Sequence, residues 1–276
     1  MVYMATLLGN FLIIILVSRS HQLHTPMYYF LLHLSFCDIV FTTNIAPTML
    51  HNILYDVGKI SMKHCISQFY LYGASTVAEC YILTLMSCDR YLAICNPLHY
   101  TSIINLDVCL RLVGGSWLSG FLITLCTSIM LFHRDFCGPK VIDHFICDLT
   151  PLLKLSCSDT FSFEVIVFVL SIPIIVIPFM FIVVTYVNIF IAVLKISSTS
   201  GKQKTFSTCS SHLTSVGTYY GTLTIIYVVP RRGHLLRVNK ALYLLYTVIT
   251  PLFNPLIYSL RNQDIRKAIE MLFYKR

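Results

Sequence analysis

Residues 86–100 read Met86-Ser87-Cys88-Asp89-Arg90-Tyr91-Leu92-Ala93-Ile94-Cys95-Asn96-Pro97-Leu98-His99-Tyr100. The charged and aromatic triplet Asp89-Arg90-Tyr91 closes a long apolar segment, and Asn96-Pro97 then favours a turn. This pattern is typical of a membrane helix that ends at the membrane surface, because charged groups are costly in hydrocarbon. We interpret Arg90 as a switch that Asp89 holds and that meets a partner elsewhere when it is released. The alternative is that Arg90 only extends to the interface, as cationic side chains at helix ends commonly do.

The composition indicates a membrane protein. Hydrophobic residues make up 56% of the chain and charged residues 12%, whereas soluble domains carry about 25% charged residues. The 276 residues suffice for seven spans of about 20 residues, and long apolar segments can cross lipid only as helices. We therefore predict an all-α membrane protein: one domain, residues 1–276, forming a seven-transmembrane helix bundle with a short C-terminal amphipathic helix. The spans are predicted at about 1–18, 27–50, 66–90, 108–131, 164–194, 204–229 and 240–260, and the amphipathic helix at about 263–273.

The formal net charge of +8 suits contact with anionic lipid or an acidic external rim. With a cytoplasmic C-terminus, eleven of the 20 Lys and Arg residues lie in inner segments, which is a weak positive-inside bias. The sequence shows no basic and aromatic strip suited to nucleic acid. Membrane lipid is thus an expected partner and nucleic acid is not.

Two carboxylates lie within predicted spans. Asp38 lies eleven residues beyond the start of the second span, and Glu79 lies eleven residues before Arg90. Both are therefore about 16 Å above the inner boundary at 1.5 Å per residue, and Asn10 and Asn254 fall at nearby depths. Two acids at one depth repel unless they are protonated or bridged by a cation. The core either holds sodium or water, or is a structural hydrogen-bond network of neutral acids.

Four of the eleven cysteines lie in predicted external segments. An even number in an oxidising compartment indicates two disulfides, and the spacing leaves all three pairings open. The alternative is a metal site formed by His144, Cys147 and Asp148, which fails if Cys147 is oxidised. The four external cysteines are Cys65, Cys137, Cys147 and Cys157.

A ligand pocket is expected between the outer halves of helices three, five, six and seven. Counting outward from Arg90 and from the start of helix six gives an apolar lining with a few hydroxyls and no charge. Such a lining suits small neutral molecules and not amines, which need a carboxylate. For any one of these residues the alternative is ordinary helix packing. The candidates are Tyr72, Gly73, Thr76, Val77, Leu170, Ser171, Ile174, Tyr220, Leu223, Thr224 and Tyr227.

Motifs along nearly the whole chain resemble one family. The junction before helix two reads His24-Thr25-Pro26-Met27-Tyr28-Tyr29-Phe30-Leu31, and helix two contains Leu34-Ser35-Phe36-Cys37-Asp38. Helix one contains Gly9-Asn10, the second external loop ends in residues 152–160, helix six opens with residues 204–213, and helix seven ends with residues 251–262. Together with Asp89-Arg90-Tyr91, these motifs are similar to those of the olfactory receptors, a family of G protein-coupled receptors.

The resemblance implies a receptor and not an enzyme. Such a receptor binds small, mostly apolar, neutral volatile odorants within the bundle and activates a stimulatory, olfactory-type G protein to raise cAMP. The implied location is the plasma membrane, which the chain crosses several times, in the cilia of sensory neurons. No cofactor is implied except a candidate sodium ion held by Asp38 and Glu79.

The resemblance also implies roles for particular residues. In the active state the hydroxyls of Tyr186 and Tyr258 are expected to receive Arg90. A Cys65–Cys147 disulfide would tie helix three to the second external loop, and a Cys137–Cys157 disulfide would close a hairpin within that loop. The implied activation switch comprises Asp89, Arg90, Tyr91, Tyr186, Asn254, Pro255 and Tyr258.

The chain departs from the family pattern at two sites that bear on function. Ser87-Cys88 replaces the usual Ala-Tyr before Asp89, a change that we expect to alter coupling strength. The first span begins near Met1 and the chain contains no Asn-x-Ser/Thr sequon. The short glycosylated tail usual in the family is therefore not expected, which leaves delivery to the cell surface open.

Three other functions were weighed. Asp38 and Glu79 in the membrane suggest a channel or transporter, but the sequence shows no inverted repeats and no continuous charged pore. An enzyme is disfavoured because no His-Glu-x-x-His, Gly-x-Ser-x-Gly or phosphate-binding loop occurs. A truncated receptor product that does not signal remains an alternative, since the usual tail is missing.

Overall fold

The structure is a computed structural model of the 276-residue chain. It describes residues 1–55, 59–137, 141–143, 147, 149–153, 155–195, 198–228, 247 and 250–274. Helices dominate these residues, which confirms the predicted all-α membrane fold class.

The helices are numbered here in chain order. They are α1 (Val2–Arg19), α2 (Pro26–Leu54), α3 (Met62–Cys95), α4 (Pro97–Ile103), α5 (Leu106–Phe132), α6 (Leu149–Leu153), α7 (Phe161–Ser171), α8 (Ile177–Leu194), α9 (Thr199–Val228), α10 (residues 250–261) and α11 (Gln263–Tyr274). A 3-10 turn (His21–Leu23) joins α1 to α2, and a π-helical segment (Ile172–Val176) joins α7 to α8. Strands β1 (Lys59–Ser61) and β2 (Val141–Asp143) pair antiparallel, with Ile60 opposite Ile142.

Local sequence explains several of the helix boundaries. Pro26 and Pro97 occupy the first turns of α2 and α4, where the missing N–H costs no helical hydrogen bond. The side chain of Asn105 caps α5 by accepting a hydrogen bond from the Val108 N–H at 2.9 Å. The segment after Asn96, predicted as a loop, forms the short helix α4 because the proline is already in helical geometry.

Four helical stretches of the described residues are long and apolar enough to cross a membrane: Val2–Arg19, Pro26–Asn52, Leu106–Phe132 and Phe161–Leu194. The helices α3 and α9 have 34 and 30 residues but a more polar composition. In α3 these polar groups are accommodated because α2, α5 and α8 pack around it. Most of the seventh predicted span lies outside the described residues, and the predicted span boundaries stay predictions.

The helix α3 lies at the centre of the bundle and packs against α2, α5 and α8. Its contact with α5 is close because small residues face each other. A Cβ on Gly120 would lie 2.5 Å from the Ala74 carbonyl oxygen, and a Cβ on Gly73 would lie 2.6 Å from Thr124 Cγ2. Neither glycine therefore tolerates a side chain without a shift of the helices.

The C-terminal helix α11 is amphipathic, as predicted. Ile265 and Ala268 are buried, whereas Arg266 and Lys267 are exposed. Its start is well capped, because Asn262 Oδ1 accepts hydrogen bonds from the Asp264 N–H at 3.0 Å and from the Ile265 N–H at 3.2 Å.

Candidate functional site

The cytoplasmic end of α3 holds Arg90 in a closed arrangement. Arg90 Nε donates to Asp89 Oδ2 at 2.9 Å, and the Nη2 group donates to the same oxygen. Asp89 is fully buried, whereas the Arg90 side chain is 18% exposed. Buried carboxylates need such partners, because an unpaired charge away from water is costly. The structure thus brings the first two residues of the predicted switch into contact, and it leaves Tyr91 half-buried.

The second partner of Asp89 comes from α4. The Tyr100 hydroxyl donates to Asp89 Oδ1 at 2.7 Å, so each carboxylate oxygen has a donor. Burial, and then the neighbouring Asp89 carboxylate, raise the pKa of Tyr100 above its ordinary value, so the phenol remains a donor at physiological pH. No sequence motif predicts this role for Tyr100, which lies eleven positions after Asp89. The feature of the sequence that could have predicted this contact is Asn96-Pro97, because a turn that starts a new helix can bring α4 back against α3.

A second closed pair lies between α8 and α9. The Tyr186 hydroxyl lies 2.6 Å from His212 Nδ1, and His212 Nε2 lies 3.1 Å from the Leu83 carbonyl oxygen of α3. Because a carbonyl only accepts, Nε2 carries the proton, and Tyr186 donates to Nδ1 of the neutral ring. His212 is fully buried, so it links three helices at the depth of Leu83. The sequence offered a single cue for His212, a histidine within a helix that packs into the bundle.

The helix α10, which belongs to the seventh predicted span, contributes three predicted switch residues. Asn254 Nδ2 donates to Asp38 Oδ2 at 3.0 Å, which ties α10 to α2. Tyr258 is fully buried. Pro255 packs closely on α1, since a Cβ on Gly9 would lie 3.1 Å from it.

The structure does not place the Tyr186 hydroxyl on Arg90. Tyr186 is bonded to His212, and Arg90 is bonded to Asp89.

The polar core between α1, α2, α3 and α10 has an excess of acceptors. Among the described residues, four of its amide and carboxylate oxygens are buried without a hydrogen-bond partner. Such oxygens require protons, water or a cation, because an unsatisfied buried acceptor costs about 1–3 kcal/mol. Among the described residues no group of three His, Cys, Asp or Glu side chains forms a candidate metal site. The four oxygens are Asn10 Oδ1, Asp38 Oδ1, Glu79 Oε1 and Asn254 Oδ1.

The candidate pocket residues occupy different environments. Tyr72, Val77, Tyr220 and Leu223 are buried, and Thr76 accepts a hydrogen bond through its carbonyl oxygen from the Tyr219 hydroxyl at 2.9 Å. This contact joins α3 to α9, which is the sixth predicted span, among the residues predicted to form the pocket.

Other candidates lie away from this contact. Gly73 faces Thr124 of α5, the Ser171 hydroxyl donates to the Phe168 carbonyl within α7, and Thr224 is exposed. The Tyr227 side chain lies outside the described residues, and the lining as a whole stays a prediction.

A separate cavity of about 370 Å³ opens at the outer ends of α2 and α3. It lies apart from the predicted ligand pocket and near the paired strands. Its polar wall includes a hydrogen bond between Thr48 Oγ1 and His64 Nε2 at 3.1 Å. The lining residues are Pro47, Thr48, His51, Asn52, Ile60, Ser61 and His64.

Two disulfides join the external segments in the pairing that the resemblance implies. Cys65 is bonded to Cys147, with Cα atoms 5.1 Å apart, and Cys137 to Cys157, with Cα atoms 5.6 Å apart. Gln68 strengthens the first link, because its Oε1 accepts a hydrogen bond from the Cys147 N–H at 2.9 Å.

The first disulfide decides against the alternative metal site. Because Cys147 is oxidised, it offers no thiolate to a metal ion. The other two residues of that alternative, His144 and Asp148, lie outside the described residues.

Comparison with known proteins places these features in one family. The sequence pattern of the olfactory receptors matches residues 1–276. The chain belongs to the olfactory receptor family. It is 45% identical to olfactory receptor 5P3 of Homo sapiens over 98% of this chain and 86% of that protein. It is 47% identical to olfactory receptor 5P55 of Mus musculus over 97% and 86%, and 44% identical to olfactory receptor 11L1 of Homo sapiens over 100% and 86%.

Family membership settles the coarse function. Olfactory receptors are membrane-embedded G protein-coupled receptors of sensory transduction and are not enzymes. The predicted exclusion of an enzyme is thereby confirmed. Within this olfactory receptor, the two closed pairs involve α3, α8 and α9, and the roles of the switch and pocket residues stay predictions.

Proposed function

We propose that this olfactory receptor binds small, mostly apolar, neutral volatile molecules and activates a stimulatory G protein that raises cAMP. Its working location is then the plasma membrane of sensory neuron cilia. The observation that carries the proposal is the pair of closed contacts, Arg90 with Asp89 and Tyr186 with His212. The Tyr186–His212 contact joins α8 to α9 and breaks when α9 moves outward, whereas the Arg90–Asp89 contact lies within α3 and holds the guanidinium until a partner binds it.

The mechanism follows from which bonds cross between helices. The Tyr186–His212 bond joins α8 to α9, so it breaks when the cytoplasmic end of α9 swings out. The freed Tyr186 hydroxyl then accepts from Arg90 when that side chain leaves Asp89. Agonist need only bind the open arrangement more tightly to shift the population toward it. The opened cleft exposes Arg90 to the G protein.

The chemistry of the pocket candidates supports neutral odorants. No candidate carries a charge, and the hydroxyls of Thr76, Tyr220 and Thr224 already contact protein groups. A cationic amine would be desolvated there without a carboxylate partner, which is unfavourable. Alcohols, ketones and esters offer one polar atom and an apolar body, and they suit such a lining.

A cAMP reporter with surface staining tests the proposal. Cells that express the receptor are exposed to matched panels of alcohols, ketones, esters and amines of equal carbon number. We expect responses to the neutral classes and none to the amines. The absence of any response from surface-expressed receptor across the panel contradicts the proposal. A ligand-dependent current that persists without any G protein supports a channel instead.

Replacing His212 by Leu should raise the basal cAMP level. Leu keeps most of the buried volume but loses both hydrogen bonds, so the closed arrangement loses stabilisation of about 1 kcal/mol per bond. We expect a basal signal roughly ten- to thirtyfold higher at equal surface expression. His133→Leu, at an exposed external position, is the matched control. An unchanged basal level in His212→Leu would show that this bond does not hold the receptor closed.

The polar core fits a sodium ion. Its four unpartnered buried oxygens come from Asn10, Asp38, Glu79 and Asn254, and hard cations prefer oxygen ligands. Asp38 and Glu79 lie within electrostatic range of each other. A bound cation would supply the positive charge that lets both carboxylates ionise. We propose that Asp38 and Glu79 hold it and that it stabilises the closed arrangement.

Sodium sensitivity is the corresponding prediction. Raising external sodium at constant ionic strength, with choline as replacement, should lower agonist potency in the wild type. Asp38→Asn should remove this dependence, because the amide offers no charge to a cation. Asp107→Asn, in the first turn of α5, is the matched control and should retain it. Equal sodium dependence in Asp38→Asn and the wild type would contradict the proposed site.

A further inference from the structure

The fifth predicted span consists of α7 and α8 and is broken between them. This break leaves one carbonyl without its ordinary donor. Pro178 lies four residues after Ile174 and has no N–H, so the α-helical hydrogen bond to the Ile174 oxygen cannot form. The preceding segment, Ile172–Val176, is π-helical, and the Ile177 N–H donates to the Ile172 oxygen. A carbonyl that loses its α-helical donor is free to accept from another group.

The partner is a thiol of the third helix. Cys80 Sγ donates to the Ile174 oxygen at 2.9 Å, and it lies 3.1 Å from the Tyr220 hydroxyl of α9. The thiol has one proton and gives it to the carbonyl, so the Tyr220 hydroxyl donates to the sulfur. Cys80 is fully buried. A single sulfur therefore connects the third, fifth and sixth transmembrane segments.

Tyr220 contacts the same break from the other side. Its ring lies 4.7 Å, centroid to centroid, from that of Phe179, which directly follows Pro178. Along α9, Tyr220 precedes the pocket candidates Leu223 and Thr224 by about one turn. Because Tyr220 and Ile174 are themselves pocket candidates, a molecule in the predicted pocket would contact the Tyr220–Cys80–Ile174 chain of hydrogen bonds.

We propose that Cys80 of α3 is a positioning residue. It holds the break between α7 and α8 against α3 and α9 in the resting receptor. The inference rests on the proposed receptor function and deepens it. The chain of bonds occurs together with the closed Arg90–Asp89 and Tyr186–His212 contacts, so it belongs to the resting arrangement. A ligand that draws the Tyr220 hydroxyl away, or that moves the break, loosens α8 and α9 from α3 and favours their separation.

Three substitutions at Cys80 separate the hydrogen bond from packing. Cys80→Val fills the space without a donor, Cys80→Ala leaves a small gap without a donor, and Cys80→Ser keeps a donor. We expect Val and Ala to raise basal cAMP roughly two- to tenfold at equal surface expression, and Ser to remain near the wild-type level. If Ser behaves like Ala, or if Val behaves like the wild type, the proposal is overturned.

A double-mutant cycle with Pro178 tests the partner. Pro178→Ala restores an N–H that can donate to the Ile174 oxygen, so the carbonyl no longer depends on the thiol. The effect of Cys80→Val should then vanish in the Pro178→Ala background. An equal fold-change in both backgrounds would show that Cys80 acts on something other than this carbonyl.

A measurement without a ligand keeps this inference separate from the proposed function. Thermal unfolding of the purified receptor in detergent should give a lower Tm for Cys80→Val than for the wild type. Cys80→Ser should unfold near the wild-type Tm, and the Val effect should vanish with Pro178→Ala. A wild-type receptor that never raises cAMP contradicts the proposed function alone, whereas equal Tm values for Val, Ser and wild type overturn the role of Cys80.

Discussion

Replacing Arg90 by Ala should abolish odorant-driven cAMP while the receptor still reaches the cell surface. In the closed arrangement the hydrogen bonds of Arg90 go to Asp89 in its own helix, so its loss breaks no hydrogen bond between helices among the described residues. In the open arrangement the same guanidinium is the group that Tyr186 and the G protein are proposed to bind. We expect the maximal response to fall at least about tenfold, as for loss of a charged hydrogen bond. A reporter assay normalised to surface staining measures it.

Two further variants make this result specific. Arg111→Ala removes an exposed arginine from α5 and should leave the response unchanged. Arg90→Gln keeps a donor for the buried Asp89 carboxylate but removes the charge, and it should lose the response as Ala does. Full signalling by either Arg90 variant would refute the switch role. Poor surface levels in Ala alone would instead report the cost of leaving Asp89 without a donor.

Replacing Cys65 by Ser should largely prevent the receptor from reaching the surface. The Cys65–Cys147 bond closes a separation of 82 residues and the Cys137–Cys157 bond one of 20 residues. In the loop-entropy description these bonds stabilise the fold by about 4.5 and about 3.3 kcal/mol. The first bond also holds the Cys147 N–H against Gln68 Oε1 of α3. Losing this disulfide therefore removes the loop-closure stabilisation and also frees the external loop from α3.

Surface staining of five variants, one of them a control, measures the effect. Cys65→Ser, Cys147→Ser and the double variant should fall to the same low level, because each removes one shared bond. Cys137→Ser should fall less, in line with its shorter loop. Cys126→Ser, at an exposed position of α5, is the control and should match the wild type. Wild-type surface levels and Tm in Cys65→Ser would contradict a stabilising role for this disulfide.

Counting along helices predicted only some of the neighbours of the buried polar residues. Asp38 and Asn254 were placed at nearby depths from residue numbers alone, and the structure joins them at 3.0 Å. Asn10 was placed at a nearby depth too, yet its Nδ2 donates to the Pro251 carbonyl at 2.9 Å and not to a carboxylate. The rise per residue gives depth directly, whereas the direction of a side chain depends on how each helix is rotated in the bundle.

The switch shows the same division. The sequence predicted that Asp89 holds Arg90, because adjacent residues at a helix end are always close, and the structure confirms this contact. It missed Tyr100 and His212, which reach Asp89 and Tyr186 from other elements. Nothing local in the sequence distinguishes a histidine that bonds across helices from one that only fills space.

By itself, the sequence determined that this protein is a helical membrane receptor, and it predicted where the helices run and how deep the charged groups lie. Those properties follow from apolar length, from proline and asparagine at helix ends, and from a constant rise per residue. Only the tertiary structure decided which groups are paired: Tyr100 with Asp89, His212 with Tyr186, and the Cys80 thiol with the carbonyl that Pro178 releases. Such pairs join residues far apart in the chain, and they depend on helix rotation and side-chain packing, which no single segment specifies.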